Sequence, residues 1–259
     1  MLEDIAIISL ASIASGVKNT SDLWRILQSE EQQFSIIEKE RFNSDIHYCK
    51  EEKLFSTYQN KASFIPASYY LELQKKHYIS DYDRMRIISA ELSETLLRNI
   101  RLETISPYRT GAVIGCMKND GDMINCNRED IVRELYQGLD SKEEKEYLKR
   151  FYSDFPLKAE DKYSTRIFPE IEKYFPISDI SLITDSACAS SATAIDVSCS
   201  LINSGKLDFA LSGGIDTDLS IESMSQFSFL SVMSKTNSSP LCSKSDGVMR
   251  GEGGAFFLP

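Results

Sequence analysis

Apolar positions along the chain follow two rhythms, short crowded runs and longer stretches with helical spacing. Ile180-Ser181-Leu182-Ile183 crowds apolar and β-branched residues into a short span and predicts a strand. From Ala189 to Ser204 the spacing changes: Ala192, Ile195, Cys199 and Ile202 recur as one face of a helix, and Gly205 supplies its stop. Asp208 to Asp216 predicts a buried strand running into a Gly213-Gly214 turn. Phe227, Leu230 and Met233 punctuate a further apolar segment, and the Ser-rich stretch from Ser234 to Ser245 reads as a loop within the domain. Strands alternating with helices predict an α/β architecture with a largely parallel sheet.

At the first strand-to-helix junction stands Thr184-Asp185-Ser186-Ala187-Cys188-Ala189-Ser190-Ser191. A sulfur placed there lies near unpaired backbone N–H groups and the positive end of a helix dipole. That setting favours thiolate over the thiol, whose free pKa is about 8.5. Ala187 and Ala189 leave room for a tight turn and for a substrate carbonyl. Taken alone, such a Cys reads as a buried structural residue. The rest of the chain changes that reading.

The order A-C-x-S-S at Cys188, G-G-x-D at Gly213, F-x-x-L-x-x-M-S at Phe227 and D-G-x-x-R-G-E-G-G at Asp246 resembles the β-ketoacyl synthases. These are the condensing enzymes of fatty-acid and polyketide assembly. Each motif is weak by itself; four in order, at family-like spacing, are strong. Upstream, Asp4 to Ser9 resembles the family's first strand, and Asn19 to Leu27 its N-x-x-x-x-W-x-x-L helix, with Asn19, Thr20 or Ser21 as cap. Asp83 to Leu92 resembles a helix, and Arg109 to Gly115 the following strand. Residues 42–78 and 117–163 match poorly and are expected as surface insertions, the second carrying a charged helical block from Lys142 to Arg150. A thiolase shares the fold and the Cys nucleophile, but the R-G-E-G ending favours synthases.

The resemblance implies the N-terminal half of the thiolase-like fold over residues 1–259: a five-stranded mixed sheet packed on helices, with the nucleophile helix buried at the centre and the C-terminal half absent. It implies that Cys188 accepts an acyl chain from an acyl carrier protein or coenzyme A thioester, its backbone N–H serving as an oxyanion donor. Decarboxylation of a malonyl-type extender relies in the family on histidines of H-G-T-G-T and N-x-G-H segments in the second half. His47 and His77 match neither and are expected as surface or structural residues. Pro240-Leu241-Cys242 stands where the family has P-F-D, and Ile177-Ser178-Asp179 where it has G-P-S. Three readings stay open: a fragment of a synthase, a split subunit completed by a separate histidine-bearing chain, and a non-catalytic relative that binds a carrier protein or partner synthase. The expected partners are an acyl carrier protein and either a homodimer mate or a chain carrying the C-terminal half. A half-fold exposes a large apolar face, so the isolated chain is expected to be oligomeric, aggregation-prone or partner-bound.

Composition adds exclusions. A formal net charge of −10 argues against a sequence-independent nucleic-acid surface. The apolar run Ile5 to Ala14 follows Glu3 and Asp4, where a signal peptide carries positive charge, and no run approaches the roughly 20 apolar residues of a spanning helix. The expectation is a cytoplasmic protein without membrane anchor, with its six cysteines reduced. No C-x-x-C pair, G-x-S-x-G elbow, P-loop or dinucleotide fingerprint occurs, so no metal and no cofactor are expected.

Overall fold

The computed structural model describes residues 4–29, 31–39, 41, 47–50, 56–80, 83–98, 100–101, 105, 108–117, 141–142, 145–146 and 164–259. The chain divides into two compact units, residues 1–117 with 167–259 and residues 118–166. The first holds every element below. The expected insertion at 117–163 and its charged block lie largely outside the described residues.

Five strands form the main sheet: β1 (Ser9–Ala14), β4 (Thr110–Gly115), β5 (Ile180–Thr184), β6 (Phe209–Asp216) and β7 (Gly253–Leu258), in the order β1-β7-β6-β4-β5. β4 runs parallel to both β5 and β6, and β7 runs antiparallel to β6 and β1, so the sheet is mixed. Two short strands, β2 (Ser35–Ile36) and β3 (Lys61–Ala62), pair separately. Among the described residues the helices are α1 (Thr20–Ser29), α2 (Ala67–Lys76), α3 (Arg84–Leu97), α4 (Phe168–Glu172), α5 (Ser190–Asn203) and α6 (Ile221–Phe229).

Side chains alternate across the sheet, and each face receives one long helix. α3 packs on β1, β7 and β6, where Ala11, Ile13, Leu211, Phe256 and Leu258 join Ile88, Leu92 and Leu96 in the core. α5 packs on β4, β6 and β5 from the other side. Asn19 is the cap of α1, its Oδ1 accepting from Asp22 N–H at 3.0 Å. Asp83 caps α3 by accepting from Arg86 N–H. The C-terminus of α5 closes as a Schellman turn: Lys206 N–H donates to Leu201 O at 2.9 Å, Gly205 N–H to Ile202 O at 2.9 Å, and Gly205 has φ +66°.

Two expectations are corrected. Gly213 and Gly214 lie inside β6, not in a turn. A Cβ on Gly213 would stand 2.0 Å from Ala255 O, and one on Gly214 would stand 2.5 Å from Ser191 Cβ. These glycines serve close approach, not chain reversal. The described second half of 42–78 is no surface insertion, because Ile65, Tyr70 and Leu73 pack in the main core. Its place there is held by a buried bidentate pair, Arg41 Nη1 and Nη2 on the Glu252 carboxylate at 2.9 and 2.5 Å, with Ile65 N–H donating to Glu252 at 2.7 Å. His47 and His77, expected as surface or structural residues, are both buried, which is the structural alternative of that expectation.

His77 joins α2 to α3. Its Nδ1 lies 2.7 Å from Tyr174 Oη and its Nε2 2.7 Å from Glu91 Oε2, while Lys76 Nζ donates to the same Glu91 oxygen at 2.6 Å. Burial works to raise the Glu91 pKa, but the bonds from His77 and Lys76 outweigh it and bring the value from 4.5 down to about 2. A carboxyl lowered on folding contributes stability present above its unfolded value and lost as pH falls through the folded one. Stability should therefore decline between pH 4.5 and about 2. In Glu91→Gln that acid limb should flatten, with a loss on the order of 3 kcal/mol at neutral pH, read by denaturant titration at several pH values.

Candidate active site

Gly115 ends β4 against the first turn of α5, where a Cβ would lie 2.3 Å from Ser190 C. With Gly214 beside it, the sheet presents bare backbone to the helix start. The chain between β5 and α5 turns through a single 3₁₀ turn, Ala187–Ala189, with Ala187 at φ +51°. A left-handed non-glycine residue costs roughly 1–2 kcal/mol, least for a small side chain. Ser190 locks the turn by accepting from Ser186 N–H at 2.9 Å and donating to Ala187 O at 2.6 Å, and Thr184 Oγ1 donates to Ser190 O at 2.9 Å.

Cys188 stands exposed at the apex of this turn. Ala187 N–H donates weakly to Asp185 Oδ1 at 3.4 Å and Ala189 N–H to Ser186 O at 3.1 Å, but Cys188 N–H has no partner among the described residues. No side chain caps α5. The helix is half open: Ser190, Ala194 and Ser198 are buried, whereas Ile195 is 38% and Leu182 on β5 42% exposed. The expected buried central helix is thus corrected for this chain, because only one of its faces meets the sheet.

A cleft of about 580 Å³ lies beside the thiol. Ile195, Phe227, Val248, Met249 and Phe257 give it apolar walls, and Asp216 and Arg250 are its charged members. Asp216 Oδ1 accepts from Asp218 N–H at 2.8 Å. Burial pushes the Asp216 carboxyl above the usual carboxylate range, against the pull of that bond and of Arg250. Neither histidine lines the cleft. Asp216 and Arg250 belong to motifs legible in the sequence, but nothing local assigned them to the Cys188 site. Strand register does that, by setting the end of β6 beside the start of β7, with Asp216 opposite Gly253.

Among the described residues, His77, Glu91 and Glu94 have metal-ligand geometry, their ligand atoms lying within 4.8 Å of one another. The Lys76 ammonium, 2.6 Å from Glu91 and 2.5 Å from Glu94, already supplies the positive charge there. No helix among the described residues is long and apolar enough to cross a membrane.

The sequence model described as "Beta-ketoacyl synthase, N-terminal domain" matches residues 2–259. The chain belongs to the β-ketoacyl synthase family. Solved structures agree on the fold. The oxazolomycin ketosynthase domain of Streptomyces albus superimposes with a TM-score of 0.75 at 16% identity, covering 99% of this chain and 43% of that one. The ketosynthase from module 6 of the bacillaene synthase of Bacillus subtilis gives 0.72 at 15% identity, covering 98% and 39%. The fold is accordingly the N-terminal part of the thiolase-like ketosynthase fold. Among sequence relatives, the non-reducing polyketide synthase dpmpA of Macrophomina phaseolina is 40% identical over 89 residues, 34% of this chain and 4% of its own length. Clavatol synthase claF of Penicillium crustosum is 24% identical over 268 residues, 99% of this chain and 9% of its own length. The chain therefore spans less than a tenth of those relatives and less than half of those solved ketosynthases.

Exposure ranks the thiols of the domain. Brief iodoacetamide treatment followed by peptide mass mapping should label Cys188 and Cys242 first. Cys116, 2% exposed, should react only on unfolding. Labelling of Cys116 as fast as Cys188 would contradict the described packing.

Proposed function

We propose that this chain carries the acyl-accepting half of a ketosynthase site, with Cys188 as nucleophile, in polyketide assembly. The observation that carries the reading is the exposed Cys188 thiol, beside an N–H unpartnered among the described residues, at an uncapped helix start and open to an apolar cleft. In the first step the Cys188 sulfur attacks an acyl thioester on a carrier protein. The new acyl–sulfur bond forms as the old one breaks, and the carrier thiol leaves with the proton given up by Cys188. Sulfur suits the step because it is both a good nucleophile and a good leaving group. The Cys188 N–H holds the oxygen that becomes negative in the tetrahedral intermediate, a contribution typically worth 10²–10³ in rate.

Condensation then needs a carbanion from a malonyl-type thioester, and His47 and His77 lie away from the cleft lining. We assign that step to a histidine-bearing second half, seated on the open face marked by Leu182 and Ile195. The polyketide assignment is supported by the relatives' names, and the carrier protein by the thioester chemistry. The same lack of a cleft histidine favours, as second reading, a subunit that binds carrier protein or partner synthase without condensing.

Incubation with an acyl-N-acetylcysteamine thioester, followed by intact mass, tests the proposal. One acyl adduct is expected, absent in Cys188→Ala. No adduct on folded protein, or one that persists in the variant, favours the non-catalytic reading.

A further inference from the structure

One charged side chain in the Cys188 cleft has donors with no partner among the described residues. Arg250 Nη2 donates to Asp218 O at 2.6 Å and to Ser223 Oγ at 2.8 Å, and the guanidinium lies over the Phe227 ring, 4.4 Å from its centroid. Nε is buried without a hydrogen-bond partner, and Nη1 takes part in neither bond. Two anchors and an aromatic face hold the group in one orientation, so the rotamer freedom a mobile arginine loses on binding is already spent.

A fixed cation in such a cleft suits an oxygen of the occupant, either a carboxylate or a neutral carbonyl. Asp216 decides between them. Its carboxyl lines the same cleft and feels Arg250 electrostatically, while its own hydrogen bond goes to Asp218 N–H. A second carboxylate would meet Asp216 as a like charge and would have to be desolvated among apolar walls. A neutral carbonyl takes the hydrogen bond without either cost. The remaining walls, Ile195, Val248, Met249 and Phe257, match the carbon skeleton of the same chain.

We infer that Arg250 is a specificity-determining residue, donating from Nη1 to a neutral oxygen on the acyl chain bound at Cys188. The cleft then selects oxygen-bearing acyl thioesters over saturated ones of the same length. This rests on the acylation reading above.

The test compares S-acetoacetyl- and S-butyryl-N-acetylcysteamine, which differ by a carbonyl or a methylene at the third carbon. With each, the acyl–Cys188 bond forms as the thioester bond breaks, and N-acetylcysteamine leaves carrying the proton. Rates are read by intact mass on the full chain and divided by those with N-acetylcysteine, which removes intrinsic reactivity. The corrected ratio should favour acetoacetyl about tenfold or more, the size of a hydrogen bond to a charged donor. Arg250→Met should bring it close to one. Arg250→Lys, which keeps the charge and the stem over Phe227, should lower it several-fold and serves if the Met variant fails to fold. A ratio near one in the unaltered protein, or a ratio that folded Arg250→Met and Arg250→Lys both retain, overturns the assignment while leaving acylation intact. No adduct from either thioester removes the acylation reading, and this role with it.

Discussion

The turn at Cys188 depends on the absence of side chains at Gly115 and Gly214. Ser190 and Ser191 sit where Cβ atoms on these glycines would otherwise stand. With that space open, α5 begins directly on the strand backbone, and the chain must reverse within Ser186 to Ala189. The tight reversal drives Ala187 to positive φ and leaves Cys188 at the apex with its N–H unpaired among the described residues. Small residues on both sides of the cysteine, which look permissive in the sequence, are therefore a steric requirement. Any Cβ at these glycines would push the helix start outward and displace the thiol relative to its cleft.

The charges of the final motif do separate work. Glu252 accepts from Arg41 and from Ile65 N–H, tying the start of β7 to the segment that runs into α2. Removing one partner of such a buried pair costs about 3–5 kcal/mol, because the other charge is left unpaired. Arg250, two residues earlier, instead ties the loop after β6 to the start of α6 through Asp218 O and Ser223 Oγ and lines the cleft. Adjacent charged residues in one motif thus divide between holding the fold and furnishing the site.

The two sheet faces are finished differently. α3 seals one with a continuous apolar core, while α5 covers the other only along β4, β5 and β6 and keeps its outer side open. That openness gives Cys188 its exposure. It is also the kind of surface that soluble monomers rarely leave uncovered when it grows beyond a few hundred Å².

Much of this was determined by the sequence alone. Crowded apolar runs and 3.6-residue spacing are local properties, so the strand at Ile180, the helix after Cys188 and its Gly205 stop are legible without coordinates. The order of four motifs carried the family. Tertiary structure decided the rest. A pair of glycines reads locally as a turn, and only the packing of Ala255 and Ser191 against them shows a strand interior. Likewise Asp216, Phe227, Arg250 and Cys188 are separated by up to 62 positions in the chain (250 − 188). They share one cleft because β4 pairs with β6 and β6 with β7 in a particular register, a long-range choice that no local pattern contains.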